Sequence, residues 1–180
     1  RALPELVLAG PDATTDLIWR YTSSMAKSMA GWVECNWLIR NERDLDQYTY
    51  DVAGRVGLLL SDLWRRSDGI ESDRDHAIGF GRALQAVNIV RNQGDDKNRG
   101  VSFFTEGWTT DDMIAYAYRQ IALADAYMRP LPDGPIREFC AIPLELARAT
   151  LQAIASGQEK LTRPEVHELV GQISGKAPIK

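Results

Sequence analysis

Asn88, Asn92 and Asp96 stand at i, i+4 and i+8 within the stretch ALQAVNIVRNQGDDKNRGVSFFTEGW. On a helix each step of four returns to nearly the same direction, so three oxygen-bearing side chains stack on one face. Gln85 lies about one turn earlier on much the same side. Three hard oxygen donors in a row suit Mg²⁺, which usually completes its shell with water and substrate phosphates. Arg91 and Arg99 are cationic partners of the kind a diphosphate needs. The solvated face of an amphipathic helix has the same pattern, and Gly94 weakens a helix that must reach Asp96.

The elements that would hold these residues are helical. Apolar residues recur at steps of three and four over 14–35, 45–65, 73–93 and 110–128, and again after Pro135. Thr14 or Thr15 is the expected cap of the first helix and Asp44 of the second. Pro143 is expected to kink or break the helix that starts at Pro135. Thr162 and Glu165 form a capping box for a last helix. VSFF (101–104) is the one short piece with strand character. The reading is a single α-helical domain over 1–180, six helices joined by short loops.

Composition bounds the function. The chain has 180 residues, 44% hydrophobic and 26% charged, with a net charge of −4. That is ordinary for a globular domain and argues against broad nucleic-acid binding, which needs a basic face. No run of about 18 apolar residues occurs, so any membrane association is expected to be peripheral. Two cysteines, Cys35 and Cys140, exclude a disulfide scaffold and are expected to pack as small hydrophobes in a cytoplasmic protein. His167-Glu168 lacks the second His of a zinc-protease motif, and Gly79-Phe80-Gly81 lacks the rest of a dinucleotide fingerprint. The five tryptophans read as core and rim rather than as a binding cage.

The helix over 44–64 combines Tyr48 with the small residues Ala53, Gly54 and Gly57, which allow a helix or a ligand to approach closely. Three segments, in this order, then carry a resemblance. YTYDVAGRVG (48–57) resembles a Y-x-x-x-V-A-G-x-V-G helix. NIVRNQGDD with the following RG (88–100) resembles the aspartate-rich N-I-x-R-D-x-x-E-D motif. FCAIPLELARATL (139–151) resembles F-C-A-I-P-x-x-x-A-x-A-T-L. Together, over about residues 15–165, they resemble the squalene/phytoene synthase family of head-to-head isoprenoid synthases.

The resemblance implies an all-α, isoprenoid-synthase-like bundle around an apolar tunnel. Two aspartate-rich motifs at its mouth would hold Mg²⁺ on prenyl diphosphates. Two farnesyl or geranylgeranyl diphosphates would condense to squalene, dehydrosqualene or phytoene, as in terpenoid and carotenoid synthesis, with NADPH used only for squalene. Carried over, Asn88, Asn92 and Asp96 are metal ligands, with Asp95 a ligand or a neighbour of one. Tyr48 and Arg91 are catalytic. Gln85, Asn88, Arg99, Gly54 and Gly57 bind substrate. Met25, Met29, Val52, Gly57, Leu84 and Val87 are candidates for the tunnel wall.

Three departures accompany the resemblance. Asn92 replaces the leading aspartate, and Val101 stands where the family has a further Arg. The first aspartate-rich motif is missing, which implies absent N-terminal helices or a companion polypeptide that carries them. The rival expectations are a prenyl diphosphatase and a non-catalytic isoprenoid-binding or assembly subunit of the same fold.

Overall fold

A computed structural model describes residues 12–173. Helix α1 spans Asp12–Glu34. Helix α2, Glu42–Thr49, passes through a π-helical turn at Tyr50–Gly54 into α3, Arg55–Asp68. Helices α4 (Arg74–Arg91) and α5 (Gln93–Asn98) follow. Then come α6 (Thr110–Met128), α7 (Pro135–Ala155) and α8 (Arg163–Ile173). No strand is present among the described residues, and 101–104 is loop. No described helix is long and apolar enough to cross a membrane.

The caps differ from expectation in two places. Helix α1 already runs at Asp12, so Thr14 and Thr15 lie inside it. Asn41, not Asp44, caps α2: its side chain accepts the Asp44 N–H at 3.0 Å. Here the first helical turn begins three residues earlier, because Asn41 is extended and free to fold its side chain over the turn. Thr109 caps α6 in a capping box with Asp112, and Thr162 with Glu165 does the same at α8.

Two further elements depart from expectation: a helix expected to break runs on, and one expected to be regular is interrupted by a π turn. Helix α7 continues through Pro143. Proline removes one donor, to the carbonyl of Phe139, and that residue is 57% exposed, so water can satisfy it. The π turn is the second. Thr49, just before it, bonds back to the Leu45 carbonyl at 2.7 Å. Such back-bonding competes with the helical N–H and loosens the local register. Gly69, left-handed at φ 68°, ends the rod after Asp68.

Helix α4 is buried nearly all round and packs chiefly on α6, with α3 and α7 on its other flanks. Several of its core side chains are small, among them Ala77, Ala83 and Ala86. They admit the larger Met113, Tyr116 and Ile121 of α6, which are 0–2% exposed. The approach to α3 is closer still. A Cβ on Gly57 would stand 2.1 Å from the Ala77 carbonyl oxygen, and one on Gly81 2.2 Å from that of Ala53.

Candidate functional site

Tyr48 is buried near the end of α2, 4% exposed. Its ring stacks on Phe103 with centroids 4.9 Å apart and planes 15° apart. The edges of Trp32 and Trp37 meet it at 5.4 and 6.4 Å. Burial pushes the Tyr48 hydroxyl up to about 12; the Asp96 charge adds to the rise, and a hydrogen bond with Gln85 opposes it. The phenol is therefore protonated across the neutral range and can donate.

The oxygen-donor stripe survives a break in its helix. Helix α4 ends at Arg91, and Asn92, at φ −99° and ψ 9°, joins it to α5. The N–H groups of Asn92 and Asp96 still donate four residues back, at 3.0 and 2.9 Å. Asn88, Asn92 and Asp96 therefore stay stacked, and Asn92 Nδ2 donates to Asn88 Oδ1 at 2.8 Å. The Asp96 side chain is 16% exposed and lies 3.8 Å from the Arg99 guanidinium, which is itself exposed.

This donor set fits one kind of metal binding. No group of three His, Cys, Asp or Glu able to hold a metal occurs among the described residues. The stripe holds one carboxylate and two amides. Mg²⁺ commonly binds through one or two carboxylates plus water and phosphate oxygens, and does not need a cage of protein ligands. Asn88 Oδ1, which already accepts from Asn92 Nδ2, would have to share or give up that bond to hold an ion.

The remaining candidate residues distribute unevenly. Gln85 and the Asp96 charge both act on the Tyr48 hydroxyl. Arg91 and Asp95 do not: with Asn92, Asn98 and Lys160 they line a separate polar cavity of about 460 Å³ beside the α7–α8 connection. The break at Asn92 sends these neighbours toward that connection. Gly54 also departs from its expected role. A Cβ there would meet Tyr50 and Ile78 at 3.1–3.2 Å, so this glycine serves helix packing rather than a ligand. Cys35 is exposed rather than packed, because it follows the end of α1, whereas Cys140 is buried.

An apolar cavity of about 320 Å³ lies between α3, α4 and α7. Val52, Gly57 and Leu84 line it as expected. Val87 is core, and Met25 and Met29 are half-buried on α1, none of them on this wall. Phe80, Tyr127, Phe139 and Pro143 complete it. Along α4 the groups run from Asn88 through Gln85 to Leu84, Gly81 and Ala77, so the polar end and the apolar wall share one helix.

Sequence reasoning missed Trp32, Trp37 and Phe103 as the enclosure of Tyr48. The signal for Phe103 was VSFF itself, an apolar run directly after the polar α5 that had to cover something. For the two tryptophans no local signal exists, since Trp37 is placed by a loop turn at φ 57°.

The architecture is thus that of an all-α protein with a buried tyrosine, and with an oxygen-donor stripe and an apolar cavity wall along one helix. A family model for squalene/phytoene synthase matches residues 6–111. Bos taurus squalene synthase is 29% identical over 147 residues, covering 67% of this chain and 35% of that protein. Phytoene synthase of Arthrospira platensis is 30% identical over 116 residues, covering 58% of this chain and 35% of that protein. A solved complex of TcSQS with a ligand superposes with a TM-score of 0.81 at 22% identity, covering 93% of this chain and 58% of that one. A dehydrosqualene synthase in complex with ligand superposes at 0.61, with 21% identity, 76% of this chain and 58% of that one covered. The chain belongs to the squalene/phytoene synthase family. It spans about a third of the length of the curated relatives it matches.

Proposed function

We propose that this chain supplies the second aspartate-rich half of a Mg²⁺-dependent site that condenses two prenyl diphosphates head to head. The observation that carries the reading is the stacking of buried Tyr48 on Phe103, which shares a small pocket with Asp96 of the stripe. Asp96, Asn88 and Asn92 would hold the ion, and the first motif would come from further polypeptide, in the same protein or a companion. Bound Mg²⁺ supplies positive charge to the departing diphosphate.

The chain's own groups do the rest. Arg99, exposed beside Asp96, is free to swing onto the diphosphate. Tyr48 and Gln85 present fixed polar atoms where the leaving group separates. The aromatic faces around Tyr48 favour a neighbouring carbocation over water. The apolar cavity takes the prenyl tail and keeps the reacting carbon dry. Arg91 acts, if at all, from the outer polar cavity.

A second reading has its own observation: the stripe holds one carboxylate and two amides, which suits a subunit that binds isoprenoids without turnover. One experiment separates the two. The protein, alone and mixed with a polypeptide carrying a D-x-x-x-D helix, is incubated with farnesyl diphosphate and Mg²⁺, with and without NADPH. Released diphosphate and lipid products are measured. Condensation predicts Mg²⁺-dependent release, a C30 product, and loss of both in Asp96→Ala. A prenyl alcohol in place of the C30 product would indicate a diphosphatase. Binding of farnesyl thiodiphosphate without release of diphosphate would establish the non-catalytic reading.

A further inference from the structure

The Asp51 carboxylate is buried, its side chain 6% exposed, on the same rod as Tyr48 and three residues later. Its Oδ2 accepts the Trp32 indole N–H and the Gln47 amide, each at 3.1 Å. Its Oδ1 accepts Arg55 Nε at 3.2 Å and Nη2 at 2.8 Å. Arg55 also donates to Ser24 and Ser28 of α1, at 2.6 and 3.1 Å, and lies over the Tyr50 ring. One carboxylate in the π turn therefore gathers donors from α1, α2 and α3.

Such a group is an expensive way to fill space. A buried ion pair often contributes no more stability than apolar side chains of the same volume. What an apolar residue cannot do is fix the rotation of an indole. Trp32 meets the Tyr48 ring edge-on at 83°, and an aromatic ring with no polar anchor can pivot within its slot. The anchor is the N–H···O bond from the indole to Asp51.

We infer that Asp51 is a positioning residue: it holds the Trp32 indole against Tyr48 and so fixes how the Tyr48 ring and its hydroxyl are set in the site. The inference rests on the reading of Tyr48 as the site tyrosine proposed above. Neither Asp51 nor Trp32 touches substrate in this scheme; both act through Tyr48.

The test is a double-mutant cycle with Asp51→Leu and Trp32→Phe, backed by Asp51→Asn in case the leucine variant does not fold. In the active assembly, kcat and KM for farnesyl diphosphate are measured. In the chain, the indole ¹H–¹⁵N signal of Trp32 and the ring signals of Tyr48 are recorded. Each single variant is expected to lower kcat about 10²-fold, the scale of a small misplacement at a reacting centre, with KM within about twofold. The double variant should lose little more than either single one. The Tyr48 signals should move alike in both single variants. Folded Asp51 variants with wild-type kcat, or losses that add, would overturn the inference. Should the wild-type assembly show no turnover, the functional reading fails, and the Tyr48 signals alone then decide: unmoved in the Asp51 variants, they overturn the positioning role as well.

Discussion

Gly57→Ala tests whether the α3–α4 crossing is as tight as its geometry demands. The added Cβ would stand 2.1 Å from the Ala77 carbonyl oxygen and 2.9 Å from its carbon. Ordinary contact begins at 3.4 Å, so the helices must part by about 1.3 Å. The obstacle is backbone, which cannot rotate aside as a side chain can. Overpacking of this kind costs about 1–3 kcal/mol, here at the upper end. The better helix propensity of Ala returns about 1 kcal/mol. The net loss is about 2 kcal/mol, or a Tm lower by about 4–8 °C for a chain of this size. Thermal unfolding followed by circular dichroism measures it. Gly31→Ala is the control: it sits inside α1, with no atom within 4 Å of the added Cβ, and should be neutral or stabilising by up to about 1 kcal/mol. A Gly57→Ala protein as stable as Gly31→Ala would refute the close crossing and the cavity wall built on it.

Asp62 gives a pH prediction. Burial pushes its carboxyl up, but hydrogen bonds from Tyr21 and Arg74 and the charges of Arg74 and Arg65 outweigh this and hold it below the usual carboxylate range. A depressed carboxyl stabilises the fold above its unfolded pKa of about 4 and ceases to do so as pH falls through the folded value. Asp62→Asn should therefore be less stable at pH 7 and lose less stability than wild type between about pH 4 and 2, as read by urea midpoints. Iodoacetamide at pH 8 should modify native protein once, at Cys35, because burial pushes the Cys140 thiol up to about 12. A second adduct, identified by mass spectrometry, should require urea; native labelling of Cys140 would contradict its burial. Restoring a carboxylate by Asn92→Asp should tighten Mg²⁺ severalfold in a titration of the site. Unchanged affinity and turnover would remove Asn92 from the ligand set.

Much of this protein was legible in its sequence because helical periodicity is local. The spacing of Ala77, Phe80, Leu84 and Val87 places α4, and Thr162 marks the start of α8 by hydrogen bonds within four residues. The stack of Asn88, Asn92 and Asp96 was equally readable, since a bend at Asn92 that keeps the four-residue bonds keeps the face. The order of the three family segments needed no structure either. Tertiary structure alone decided the rest, for reasons of distance along the chain. Phe103 reaches Tyr48 across 55 residues, and Trp32 comes to it from another helix. At the π turn the local back-bond of Thr49 is joined by bonds from Thr49 and Asp51 to partners on other helices, which the sequence does not announce. Gly57 reads the same in a sequence whether its missing Cβ admits a ligand or a helix. Only the Ala77 carbonyl at that spot shows that it admits a helix, and that the cavity lies along the crossing the two glycines permit.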